Sequence, residues 1–332
     1  MTVGKVLLTG LKIIAVCLVF AVSFMLGATL SGLNRIGQQA PPSKTVQQVQ
    51  QVSPSQEAIP SVPAAPAKPQ HPQMPGNFLR SLLIYSVCAG IVLSYLILRS
   101  SWHGWTLVGG IGVSMYGVST VAAQVESVFF LSNKLPSGMI QAIFLQGAIS
   151  VAVFAPIAVS LLGKWRADSS LPASPVPARM RVSTIASRLA ILVIAFVFLY
   201  MFFGYYVAWR SPAVRQYYEG PEYSSFYGSL KANWTHNPWI YPLQIFRALL
   251  YAACLYPLIR MLRTARWEAG VAMAFFLSVW TTVLLLPNPM MPSNVAHTHF
   301  WETLGFSLAF GALAGGLLST PGRAASARVA AA

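Results

Sequence analysis

Residues 185–208 read IASRLAILVIAFVFLYMFFGYYVA, and from Leu189 to Ala208 no charged side chain interrupts them. About twenty consecutive apolar residues match the hydrocarbon thickness of a bilayer when helical. A helix packed on a soluble core would show polar residues on its outer face instead. Arg188 enters the run, and Trp209 with Arg210 leaves it. Basic and aromatic residues at the two ends mark the membrane–water boundaries.

Working outward, comparable runs occur near 13–30, 79–98, 104–125, 139–162, 242–260, 269–286 and 298–318. The whole chain of 332 residues is 55% hydrophobic and only 9% charged. Soluble domains carry roughly a quarter charged residues, so a water-soluble globule is excluded. The reading is an all-α integral membrane protein, a bundle of about eight transmembrane helices whose partner is the lipid bilayer.

The net charge of +15 would suggest nucleic acid in a soluble protein. Here the basic residues gather at span ends, and no basic run interleaves with aromatics, so no nucleic-acid partner is expected. The loops 163–184 and 261–268 are dense in Arg and Lys, while 287–297 has none. The positive-inside rule then places both termini in the cytoplasm. The expected location is a bacterial inner membrane.

Four segments follow. Residues 1–34 hold Lys5 and Lys12 before an apolar stretch longer than a usual signal sequence, and read as an uncleaved signal anchor and first span. Residues 35–77 contain nine Pro and nine Gln. They cannot bury enough apolar surface to offset ordering, and so should form a disordered tether on the outer side. Residues 78–320 form a seven-helix domain, and 321–332 a short basic cytoplasmic tail. Cys17, Cys88 and Cys254 lie singly in apolar runs, with no metal or redox spacing.

Small residues suggest close helix approach at Gly311 with Gly315 and at Gly110 with Ser114. In the outer loop 209–241, Pro212 suits a first helical position and Gly220-Pro221 a stop. A short helix from Ala213 to Glu219 is expected, with Arg215 and Glu219 one turn apart. An aromatic-rich return through Trp234 and Trp239 should follow it.

Ionisable groups within spans are costly and point to function. With topology assigned, Gln124, Glu126, Arg210, Gln244, Arg247, His299 and Glu302 all fall in the outer half, whereas Glu268 beside Arg263 and Arg266 reads as a surface charge on the inner side. Arginines there could act as forks for a carboxylate or phosphate, and Glu126 or Glu302 could accept a proton. Helix-gluing salt bridges would use the same residues. His297, His299 and Glu302 offer metal-ligand types, but two imidazoles two residues apart on a helix point about 200° apart. They converge only if His297 precedes the helix, so no metal is expected, and no motif names a cofactor.

No phosphate-binding loop, nucleophile elbow or zinc-protease motif occurs. The expected function is an outward-facing polar pocket in a transporter or binding protein for a small anionic or proton-coupled solute. Two alternatives remain: a membrane-embedded enzyme of the outer leaflet, possible with a metal, and an assembly protein whose residues 38–75 engage another envelope component.

Overall fold

The computed structural model describes residues 3–39, 76–131, 135–166, 181–262, 264–288 and 291–319. Residues 40–75, which hold most of the expected tether, residues 167–180, and residues 320–332 with the expected tail lie outside the described residues.

Helices account for nearly all of what is described, and eight are long and apolar enough to cross a membrane. α1 (Val3–Leu30) is followed by a short α2 (Leu33–Gln39), then α3 (Gly76–Arg99). The third span joins α4 (Gly104–Tyr116), a π-helical turn (Gly117–Ala122) and α5 (Ala123–Leu131). The fourth is α6 (Met139–Leu161), and the fifth is α7 (Val182–Phe203) continued by a second π-helical turn (Gly204–Ala208). Two short helices, α8 (Pro212–Tyr218) and α9 (Phe226–His236), precede α10 (Ile240–Met261). The last spans are α11 (Arg266–Val279), which ends in a 3₁₀ segment (Trp280–Leu285), and α12 (Ser293–Leu318).

The spans alternate in direction. Lys164, just past α6, donates its Nζ to the carbonyl of Ser100 at 2.8 Å, and Ser101 N donates to Met261 O at 2.7 Å. Arg188 at the start of α7 donates to Leu317 O at the end of α12, at 2.6 Å. These contacts gather the starts of the odd spans and the ends of the even ones at one end, here called proximal. The opposite, distal end carries α2, α8 and α9.

Glycine decides how closely helices approach. A Cβ on Gly311 would meet Met273 O at 2.5 Å, and one on Gly315 would overlap Ala269 O. The Gly311/Gly315 pair therefore sits backbone to backbone against α11. Gly110 instead packs under the Trp102 ring, where a Cβ would come to 2.9 Å. Elsewhere the core is filled by side chains: Phe20 of α1 meets Tyr85 at 5.1 Å and Phe154 at 5.4 Å between ring centres, both edge to face.

The distal loop differs from its reading in three respects. The short helix starts at Pro212 as expected, but the left-handed residue that ends it is Glu219 (φ 56°), not Gly220. Gly220 is needed for close approach, because a Cβ there would overlap the Trp209 ring. That ring stacks against both Tyr218 and Tyr223. Arg215 forms its ion pair with Glu222, at 3.3 Å, and donates to Trp209 O at 2.8 Å. The aromatic return contains α9, whose start is capped by Ser225 Oγ accepting from Gly228 N at 3.0 Å.

Candidate functional site

The arginine of α10 is the centre of the distal site. Arg247 is buried, and its guanidinium reaches polar groups on its own helix and on a neighbouring one. Nη2 meets Glu126 Oε2 of α5 at 2.8 Å, and Nη1 donates to Gln244 Oε1, one turn earlier on α10, at 2.8 Å. The rings of Phe196, Tyr200 and Tyr251 surround it at 5.8, 5.8 and 6.0 Å. Aromatic faces favour a cation and exclude water, which strengthens the pairing. The Tyr200 hydroxyl completes the glutamate's coordination, donating to its Oε1 at 3.1 Å.

A second pair lies beside the first. His299 Nδ1 and Glu302 Oε2, three residues apart on α12, are 2.6 Å apart. Gly204, the first residue of the second π turn, lies beside this carboxylate: a Cβ there would stand in ordinary contact, 3.7 Å from Glu302 Oε1. Tyr218 of α8 covers the imidazole edge to face, with ring centres 5.6 Å apart. Burial, reinforced by the charges of Glu126, Tyr217 and Glu302, pushes the Tyr218 hydroxyl far above the usual phenol range. One residue thus senses both carboxylates, and Glu126 also lies within electrostatic reach of His299.

Three nitrogens in this cluster are buried without a hydrogen-bond partner: Gln244 Nε2, Arg247 Nε and His299 Nε2. A buried polar atom left unsatisfied costs about 1–3 kcal/mol. Water or a bound molecule with polar atoms would relieve that cost.

Both π turns adjoin the cluster. The first runs directly into Ala123–Leu131, which carries Glu126, and the second begins four residues after Tyr200. π turns insert an extra residue into a helix, redirect side chains, and occur often at functional sites.

Of the residues read from sequence, Glu126, Gln244, Arg247, His299 and Glu302 come together here. Gln124 instead lines a shallow groove of about 330 Å³ with Val125, Val128, Phe129, Phe144 and Leu243, and that groove is almost wholly apolar. Arg210 turns to the surface and stacks over Tyr205 at 5.0 Å. α12 begins at Ser293, so His297 is already helical and lies exposed, away from His299. Among the described residues no group of three His, Cys, Asp or Glu could hold a metal ion.

Sequence reasoning missed the aromatic members of the site. Tyr200 lies within the uncharged run that marks the fifth span, yet its hydroxyl bonds Glu126. The available signal was its spacing: Tyr200 follows Phe196 by four residues, as Tyr251 follows Arg247, so each pair shares a helix face. Glu268, read as a surface charge, joins helices: its Oε1 accepts from the Tyr95 hydroxyl at 2.6 Å and pairs with Arg99 Nη2 at 2.5 Å.

No family model, no curated protein and no solved structure matches the chain.

Proposed function

We propose that this chain is a transporter or binding protein for a small solute, which it takes at the distal cluster. The observation that carries this reading is the gathering of Glu126, Gln244, Arg247, His299 and Glu302, all but Glu126 largely buried, with three of their nitrogens buried and unsatisfied. Three spans contribute them, and a π turn adjoins the cluster in the third span, before Glu126, and in the fifth, after Tyr200. Charged groups inside a bilayer are retained where they line a solute or proton path.

The orientation proposed with it puts the proximal end in the cytoplasm of a bacterial inner membrane. Lys12, Arg99, Lys164, Arg166, Arg188, Arg260 and Arg266 lie near that end, a bias that matches the positive-inside rule. The cluster then faces outward, on the side of the Pro/Gln tether. A second reading, an enzyme of the outer leaflet, is favoured by one feature: a carboxylate-held imidazole is also the arrangement of a general base.

Native mass spectrometry of gently purified protein, beside Arg247→Lys, tests the solute reading. The lysine keeps a positive charge for Glu126 but removes the unpartnered Nε. A small molecule on the wild type that is absent from the folded variant is the expected result. A bare wild type with a stoichiometric protein partner would overturn it in favour of the assembly role of residues 38–75.

A further inference from the structure

We propose that the distal cluster binds a carboxylate together with one proton, and that the proton resides on His299 Nε2. The inference rests on the solute-binding reading above and specifies its chemistry. It follows from counting donors and charges.

The unsatisfied nitrogens select the ligand class. Gln244 Nε2 and Arg247 Nε are donors only. A cationic solute would bring more donors and leave both unsatisfied, whereas a carboxylate brings acceptors alone.

The charges then demand a proton. Arg247 is already matched by Glu126, and the carboxylate of Glu302 is matched only when His299 carries a proton. A second uncompensated anion in this low-dielectric site would be repelled. His299 can supply the balance. Its Nδ1–H donates to Glu302, which holds the ring in one tautomer and leaves Nε2 as a bare lone pair with no protein partner. A proton delivered by the carboxylic acid, or by water at the distal face, bonds to Nε2 and gives the imidazolium. The Nδ1–H bond to Glu302 is unchanged, and the solute remains as carboxylate. Nε2 then becomes a third donor to it.

The groups that face or sense His299 are Glu302 on its own helix, Tyr218 of α8 and Glu126 of α5, while Tyr200 of α7 and Arg247 of α10 are linked to it through Glu126. Arg215 of α8 is directed to Glu222 and the Trp209 carbonyl instead. His299 is therefore the group in this set whose ordinary titration lies nearest neutrality. Glu302 acts as a positioning residue, since it reaches the solute only through the imidazole.

The test uses the full chain in lipid nanodiscs with acetate as probe, between about pH 6 and 8.5, where acetate itself stays ionised. The bound state holds one proton more than the free state. Affinity should therefore be highest at low pH and fall about tenfold per pH unit on the alkaline limb. In the wild type, nitrogen-15 NMR of the imidazole should show Nε2 gaining a proton as acetate is added. Glu302→Gln should mix the free tautomers and flatten the pH profile.

Acetate binding of equal strength across the range, with Nε2 unchanged, would overturn the proton coupling. No acetate binding at any pH would overturn the carboxylate class. In that case a different small molecule found on the wild type by native mass spectrometry would leave the solute-binding reading standing. Because the NMR measurement is made on the wild type, a variant that fails to fold does not remove the test.

Discussion

The two ends of the bundle solve the same problem with different materials. At the proximal end Arg99 of α3 and Glu268 of α11 are paired across helices, with the arginine side chain 49% exposed. Around them, Lys164 and Arg188 cap carbonyls at helix ends, which satisfies backbone groups that have no helical partner. At the distal end Arg247 pairs across helices too, but there the cation is the covered partner, 7% exposed against 36% for Glu126, where Glu268 is the more covered partner of the proximal pair. Removing charges from water costs more than a pair usually returns. The proximal end shows that exposed pairs and backbone contact are enough to tie these helices. The buried guanidinium is the costly member of the distal pair, and the proposed solute site would account for that cost.

The comparison can be broken most forcefully at Arg247. Arg247→Met leaves Glu126 without its cation, and should cost about 3 kcal/mol, the low end for a broken buried pair because Glu126 is about one third open. Adding Glu126→Leu should recover most of that loss. Denaturation of both variants in the same lipid measures it, and a double variant as unstable as the single one would show that the pair is structural glue.

The backbone seam gives the next effect. Gly315→Ala would push into Ala269 and should cost about 1–3 kcal/mol by overpacking. Gly316→Ala, with nothing within 4 Å of the new methyl, should be neutral or slightly stabilising. Equal melting temperatures for the two would disprove the close approach of α11 and α12. The smallest effect belongs to the exposed pair: Glu268→Gln should shift stability by about 0.2–1 kcal/mol. A loss as large as that of Arg247→Met would erase the distinction between the two ends.

Much of this architecture was legible because its cause is local. Leu189 to Ala208 must be a span, since a bilayer accepts a long uncharged run only as a helix with its own hydrogen bonds made. Ser225 is a readable helix start, since a serine here caps Gly228 N, whereas the expected aromatic return through Trp234 and Trp239 contained no helix. The short loop helix ends within a residue of its expected stop at Gly220-Pro221, with Glu219 taking the left-handed turn and Gly220 lying against the Trp209 ring.

The candidate site divides in the same way. That Glu126, Arg247 and Glu302 share one depth followed from counting residues along spans of alternating direction. Depth is one coordinate of three, however. The direction in which each side chain points around its helix depends on local winding, and the two π turns change that winding beside the site. Arg210 and Gln124 lie at the right depth but on other faces, while Tyr200 and Tyr251 rotate inward. The sequence by itself determined the spans, their number and the level of the charges, because hydrophobic length and charge cost act on each segment separately. Which carboxylate meets Arg247, and which nitrogens are left without partners, was decided only by helix packing, because contacts between distant segments depend on rotations that no single segment specifies.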